Sequence, residues 1–259
     1  MTNPTQPFAD VAHSDLSQDP EFLDAKWNQA ISYKQYIELI DSLLAQEKTT
    51  GDNHSEAMIH YTVMNRHRMR RIETYTDLRD DVSAALAEHK SRQDWLVLTE
   101  AWCGDAAQSI PVMHLMAEKS ESIRLRFLLR DEHPDLMDRF LYKGRSRSIP
   151  RLIILDRDTR STLGVWGPRP EEAQSLFESM AGQTGISYQE MAEELQKWYA
   201  KDRTEAIQQE LVAVLRESER FQEGKDDGWQ SDGRQSDGWQ SDGRQLDGRQ
   251  IDTRKGEQE

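Results

Sequence analysis

The chain has 259 residues, 36% of them hydrophobic, and a formal net charge of −14 from 33 Lys and Arg against 47 Asp and Glu. That balance argues against a non-specific nucleic-acid binder and against binding to anionic membranes. A single cysteine, Cys103, excludes a disulfide framework and a cysteine-rich zinc site, so any redox role needs the sulfur of another molecule.

Residues 1–30 read as a mostly disordered leader, polar and punctuated by Pro4, Pro7 and Pro20. The start MTNPTQPFADVAHSD lacks the charge and apolar stretch of a signal peptide, and no apolar run is long enough to span a bilayer. A cytoplasmic protein without a membrane partner is expected. Residues 31–92 read as a helical extension packed on the core. Tyr36, Leu39, Ile40, Leu43 and Leu44 recur at helical spacing, Met58, Tyr61, Met64, Met69 and Ile72 do so more loosely, and TTGDN breaks the two runs.

From residue 93 to 183 the pattern alternates. Trp95–Thr99, Ile123–Leu129, Leu152–Asp156 and Thr162–Trp166 are short apolar runs; Gly104–Lys119, Pro134–Tyr142 and Pro170–Met180 are helical. Such alternation predicts an α/β domain with some parallel pairing. Residues 184–223 form a C-terminal amphipathic segment, long or broken, carrying Leu195, Trp198, Tyr199, Ile207, Leu211 and Leu215. Residues 224–259 contain five-residue repeats, DGWQS DGRQS DGWQS DGRQL DGRQI, with almost no aliphatic side chains, a composition that reads as disordered.

Cys103 follows a predicted strand and opens a predicted helix in WLVLTEAWCGDAAQ. Unpaired amides and the positive end of the helix dipole favour a thiolate there. The competing reading is a small buried apolar residue, the usual state of a lone cysteine.

Trp102-Cys103-Gly104 at a strand-to-helix junction, Pro111 within the helix, Ile149-Pro150 opening the next strand and Gly167 after the last strand together resemble the thioredoxin family. The longer text, TEAWCGDAAQ, FLLRDEHPDLMDRFL, GRSRSIPRLIILD and WGPRP after a leader containing KTTGDN, resembles the bacterial thioredoxin-family group that lacks the second cysteine. The resemblance implies a thioredoxin-like three-layer sandwich with an N-terminal helical extension and a C-terminal helix. It also implies Cys103 as the catalytic nucleophile, a cis bond before Pro150, and substrate contacts at Trp102, Gly104, Ile149 and Pro150. Two departures bear on chemistry. Ala106 stands where the resolving cysteine belongs, with Asp105 in place of proline, and Val97 replaces the buried acid of the preceding strand.

Without a resolving thiol, Cys103 can stop at a mixed disulfide, use an external thiol, pass through a sulfenic acid, or do no redox chemistry. Candidate modulators of its pKa are Glu100, Asp105 and Arg147, the last with Arg145 and Arg151 as a cationic rim around Pro150. A carboxylate at Asp105 opposes the helix terminus. His60 and His67 form no recognised ligand pattern, so neither metal nor cofactor is expected. The expected function is monothiol redox or thiol–disulfide exchange with a protein or a small molecule, glutathione among the candidates. The alternative is a non-catalytic interaction module that uses the groove beside Pro150.

Overall fold

The computed structural model describes residues 19–227, with side chains to residue 222; the repeat tail read as disordered lies outside them from residue 228 on. Part of the leader is corrected. Pro20–Gln29 forms α1, capped by the Asp19 carboxylate, which accepts the amides of Glu21 (3.1 Å) and Phe22 (3.2 Å). Proline at the first helical position behind an Asp cap is a helix start. The helix buries Leu23 and Trp27.

Four strands make one sheet: β1 (Gln93–Thr99), β2 (Ile123–Leu129), β3 (Arg151–Asp156) and β4 (Thr162–Trp166), in the order β2-β1-β3-β4. β1 runs parallel to β2 and antiparallel to β3, and β4 is antiparallel to β3. Central β1 is buried along its whole length, which is why it reads as an apolar run instead of an alternating one. Val97, opposite Phe127 and Leu152, continues that packing where an acid would need a partner.

The parallel connection from β1 to β2 is α5 (Gly104–Glu118), which continues through Pro111. α3 (Glu56–Tyr75) packs along α5, and α2 (Tyr33–Leu44) meets β2, where the rings of Tyr36 and Phe127 stack with centroids 5.3 Å apart. α4 (Asp80–Glu88) and β4 both pack against α9 (Glu205–Asp227). One hydrophobic cluster runs from Leu23 of α1 through the sheet to Leu215 of α9.

One predicted helix is shorter than its apolar pattern, and the C-terminal run, expected as long or broken, is broken. The helix predicted over Pro134–Tyr142 is α6 at Pro134–Met137 only. The C-terminal run is α8 (Tyr188–Asp202) and α9, with α7 (Glu171–Ala181) before them. The break falls at Arg203 and Thr204, both left-handed with φ of 54° and 70°, and Asp202 caps α9 by accepting the amide of Ala206 at 3.1 Å. Ile149–Pro150 is cis, as expected, and so is Gly167–Pro168, which the sequence did not signal.

Candidate functional site

Cys103 occupies the cap position where β1 gives way to α5. It is only 8% exposed, and its thiol donates to the carbonyl of Ile149 at 3.3 Å. Strand, helix start and the peptide before Pro150 therefore converge on one sulfur.

The position activates the thiol less than sequence reasoning implies. Burial pushes the Cys103 pKa up to about 12; the Asp105 carboxylate adds to the rise, while the Ala106 and Asp105 amides and the Arg169 guanidinium pull it down. Desolvation wins over the helix terminus, because a thiolate away from water loses more than a few partial charges return. The resting thiol is protonated at neutral pH.

Asp105 is held in place. Its Oδ2 accepts Nη2 (2.6 Å) and Nε (3.1 Å) of Arg169, and its Oδ1 accepts the Tyr199 hydroxyl at 2.8 Å. Burial and the neighbouring Asp105 carboxylate keep that hydroxyl protonated. Arg169 also donates to Gln174 Oε1 at 3.0 Å. The sequence assigns neither Arg169 nor Tyr199 to the site, and Tyr199 reads there only as part of the apolar face of the C-terminal segment. WGPRP carried Arg169 in plain view after the last strand, whereas nothing local marks Tyr199, which reaches the site from α8.

Arg147 is corrected. It makes a two-toothed ion pair with Asp138 (2.7 and 2.6 Å) on the surface, not a rim around the thiol. Arg151 is buried and turned to carbonyls, Nε to Phe140 at 3.1 Å and Nη1 to Gly167 at 2.7 Å. The guanidinium beside the thiol is Arg169. Glu100 is fully buried with its pKa raised by burial, and its Oε1 accepts the amide of Asp131 at 2.9 Å. No hydrogen bond joins Glu100 and Cys103 side chains among the described residues.

Trp102 and Gly104 line a cleft of about 740 Å³ that opens on Cys103, and the Arg130 guanidinium sits 4.9 Å from the Trp102 ring. Ile149 and Pro150 are buried and absent from its wall. Three things close that side. Gly167, at φ +107°, comes so near Pro150 that a Cβ would lie 2.2 Å from the Pro150 oxygen. Thr50 accepts the Ala101 amide at 2.9 Å, and Gly51, at φ +75°, fits against Asp131 and Trp102 where a Cβ would lie 2.7 Å from Asp131 Oδ2. TTGDN, read as a helix breaker, is thus a strap over the β1 end.

The cleft opens instead between α3 and α8. His60 lies on its wall while His67 is exposed, and among the described residues no group of three His, Cys, Asp or Glu is arranged to hold a metal ion. Among the same residues no helix is long and apolar enough to cross a membrane.

Residues 51–181, more than half of the chain, match a family model described as Thioredoxin. No curated protein matches the sequence. Two solved structures align over 72% of this chain and 98% of their own, each at 17% identity and a TM-score of 0.46: an HIV epitope scaffold and a protein of unknown function from Pseudomonas aeruginosa.

Proposed function

The chain belongs to the thioredoxin family, and we propose that within it this protein is a single-thiol member that exchanges Cys103 with an external sulfur. The observation that carries the reading is the opening of the α5 cap sulfur onto a cleft large enough for a substrate. A disulfide entering there is attacked by the Cys103 sulfur. One S–S bond forms as another breaks, Cys103 is oxidised, and the departing sulfur is reduced and leaves with the thiol proton. Ala106, 1% exposed, offers no second thiol, so the product is a mixed disulfide that an external thiol must resolve. The finer placement, in the bacterial group without a resolving cysteine, rests on the WCGDA and KTTGDN text. A three-layer arrangement, with residues 31–92 as an extension on residues 93–183, is supported by the packing of α2 on β2 and α3 on α5. A cytoplasmic setting suits a reduced lone thiol.

The pKa near 12 favours a second reading, in which Cys103 is a packing residue and the protein an interaction module. Burial of Ile149 and Pro150 speaks against the groove that reading would use. Incubation with glutathione disulfide decides between the two. Exchange predicts one glutathionyl adduct by intact mass, reversed by dithiothreitol and absent in Cys103→Ser. An unmodified wild-type protein after prolonged incubation leaves the module reading.

A further inference from the structure

Two guanidinium groups line the cleft, and their surroundings differ. Arg169 is neutralised by Asp105. Arg68 has no acid within ion-pair reach among the described residues. Its Nη1 donates to the amide oxygen of Asn65 at 2.8 Å, and burial lowers its pKa with no carboxylate opposing the fall. A guanidinium nonetheless stays charged.

Asn65 aims it. This side chain is buried, and its Nδ2 is fixed by donation to the Ala101 carbonyl at 3.0 Å, so its oxygen faces Arg68. The guanidinium comes within 4.0 Å of the place a Cβ on Gly104 would take, beside Gln196 Nε2 at 3.0 Å and one residue from Cys103. A partly desolvated guanidinium answered only by a neutral amide is half of an ion pair. Met58, Tyr61, Met64, Phe177 and Leu195 give the wall an apolar stretch, while α8 adds Glu193, Gln196 and Lys197, the last paired with Glu194.

We infer that the cleft receives a small thiol or disulfide with an apolar body and one carboxylate, the carboxylate held by Arg68 and the sulfur carried over Cys103. The volume of about 740 Å³ lies within the range of small-molecule sites. A dianionic phosphate is a poorer match, because Arg68 is the one cleft guanidinium without an acid and Asp105 shares the wall. The assignment rests on the exchange reading for its chemistry but not for its binding.

The test separates the two. Modification of the full-length protein is timed with 5,5′-dithiobis(2-nitrobenzoate), which carries a carboxylate on each half, and with 4,4′-dithiodipyridine, which carries none. Arg68→Gln should lower the ratio of the two rates at least tenfold, and Arg68→Lys should restore part of it. Calorimetry with 4-phenylbutyrate, which contains no sulfur, should show binding to wild type and to Cys103→Ser, weakened at least tenfold by Arg68→Gln. A rate ratio unchanged within twofold overturns the assignment. So does 4-phenylbutyrate that fails to bind wild type or binds Arg68→Gln equally, or phenyl phosphate that binds more tightly. If neither disulfide modifies Cys103 while 4-phenylbutyrate binds through Arg68, the exchange reading fails and the carboxylate site stands.

Discussion

The two ends of β1 each bury an aspartate, and they treat it differently. At the start, Asp94 is fully buried among three guanidinium groups: Arg124 on Oδ1 and Oδ2, Arg157 at 3.2 Å from Oδ1, and Arg160, which also reaches Asp24 of α1. Burial alone would raise its pKa, but Arg124 and Arg160 overcome that and hold the carboxyl below its usual range. The Trp27 ring attracts the surplus guanidinium groups through its face, with Arg124, Arg126 and Arg160 at 5.2, 4.9 and 5.7 Å. Past the other end, Asp105 has one guanidinium, one phenol and a thiol that burial keeps protonated with a smaller contribution from Asp105. An aspartate with surplus cations is a structural fixture. One balanced by a single cation is a setting that the loss of either member changes.

The comparison breaks most readily at Asp94. Asp94→Ala takes the acid from Arg124 and Arg157 and leaves Arg160 with Asp24 alone, and removing one partner of a buried pair costs about 3–5 kcal/mol. Thermal unfolding should shift down by roughly 6–20 °C, and a loss under about 1 kcal/mol would show the cluster to be solvated. The sign with pH follows from the depressed carboxyl. Its contribution is present above the unfolded value near 3.9 and is lost as pH falls through the lower folded value. Denaturant melts of Asp94→Asn should therefore lose less stability between about pH 5 and 3 than wild type.

The thiol end is held by backbone fit more than by charge, and Gly167→Ala tests that. A Cβ 2.2 Å from the Pro150 oxygen, at φ +107°, should cost about 2 kcal/mol or more by chemical denaturation. Unchanged stability would mean the Pro150 segment yields. Next in size is Asp105→Asn, which removes the carboxylate and leaves Arg169 beside the sulfur. Iodoacetamide alkylation at pH 8 should speed up about tenfold, and Arg169→Met should slow it, by charge effects of roughly one pKa unit. In wild type the rate should climb about tenfold per pH unit through pH 10, because the thiol titrates at about 12. A plateau near 9 would place the thiol in water. The smallest effect belongs to Arg147→Gln. Its surface pair with Asp138 predicts alkylation within about twofold of wild type.

The sequence disclosed what short-range rules can carry. The four strands fall within two residues of the predicted runs because β-branched and aliphatic stretches bounded by turns leave little choice, and Cys103 at the start of α5 follows from them. The misplaced cation shows the limit. Arg147 stands three residues from Pro150 in the chain and faces Asp138, while Arg169, in a loop beyond β4, reaches Asp105. Proximity along a loop says nothing about which way a side chain turns. Tyr199 and Arg68 are placed by how α8 and α3 pack, and single-helix periodicity is blind to that. The start of α1 was readable from Asp19-Pro20, a cap signal masked by the prolines before it.

The bridge between Ile31 and Phe127, with reciprocal backbone hydrogen bonds of 2.9 and 2.8 Å, bears on solubility. β2 is an outer strand, and an outer strand with free amides and carbonyls is a template for strands of other chains. The linker between α1 and α2 occupies the middle of that template with one residue. Cutting the chain between Gln29 and Ser32 would leave α5, the cleft and the thiol in place, yet it would free the Phe127 amide and carbonyl and remove the one residue that blocks pairing along the outer edge of β2. The expected phenotype is aggregation, not loss of chemistry.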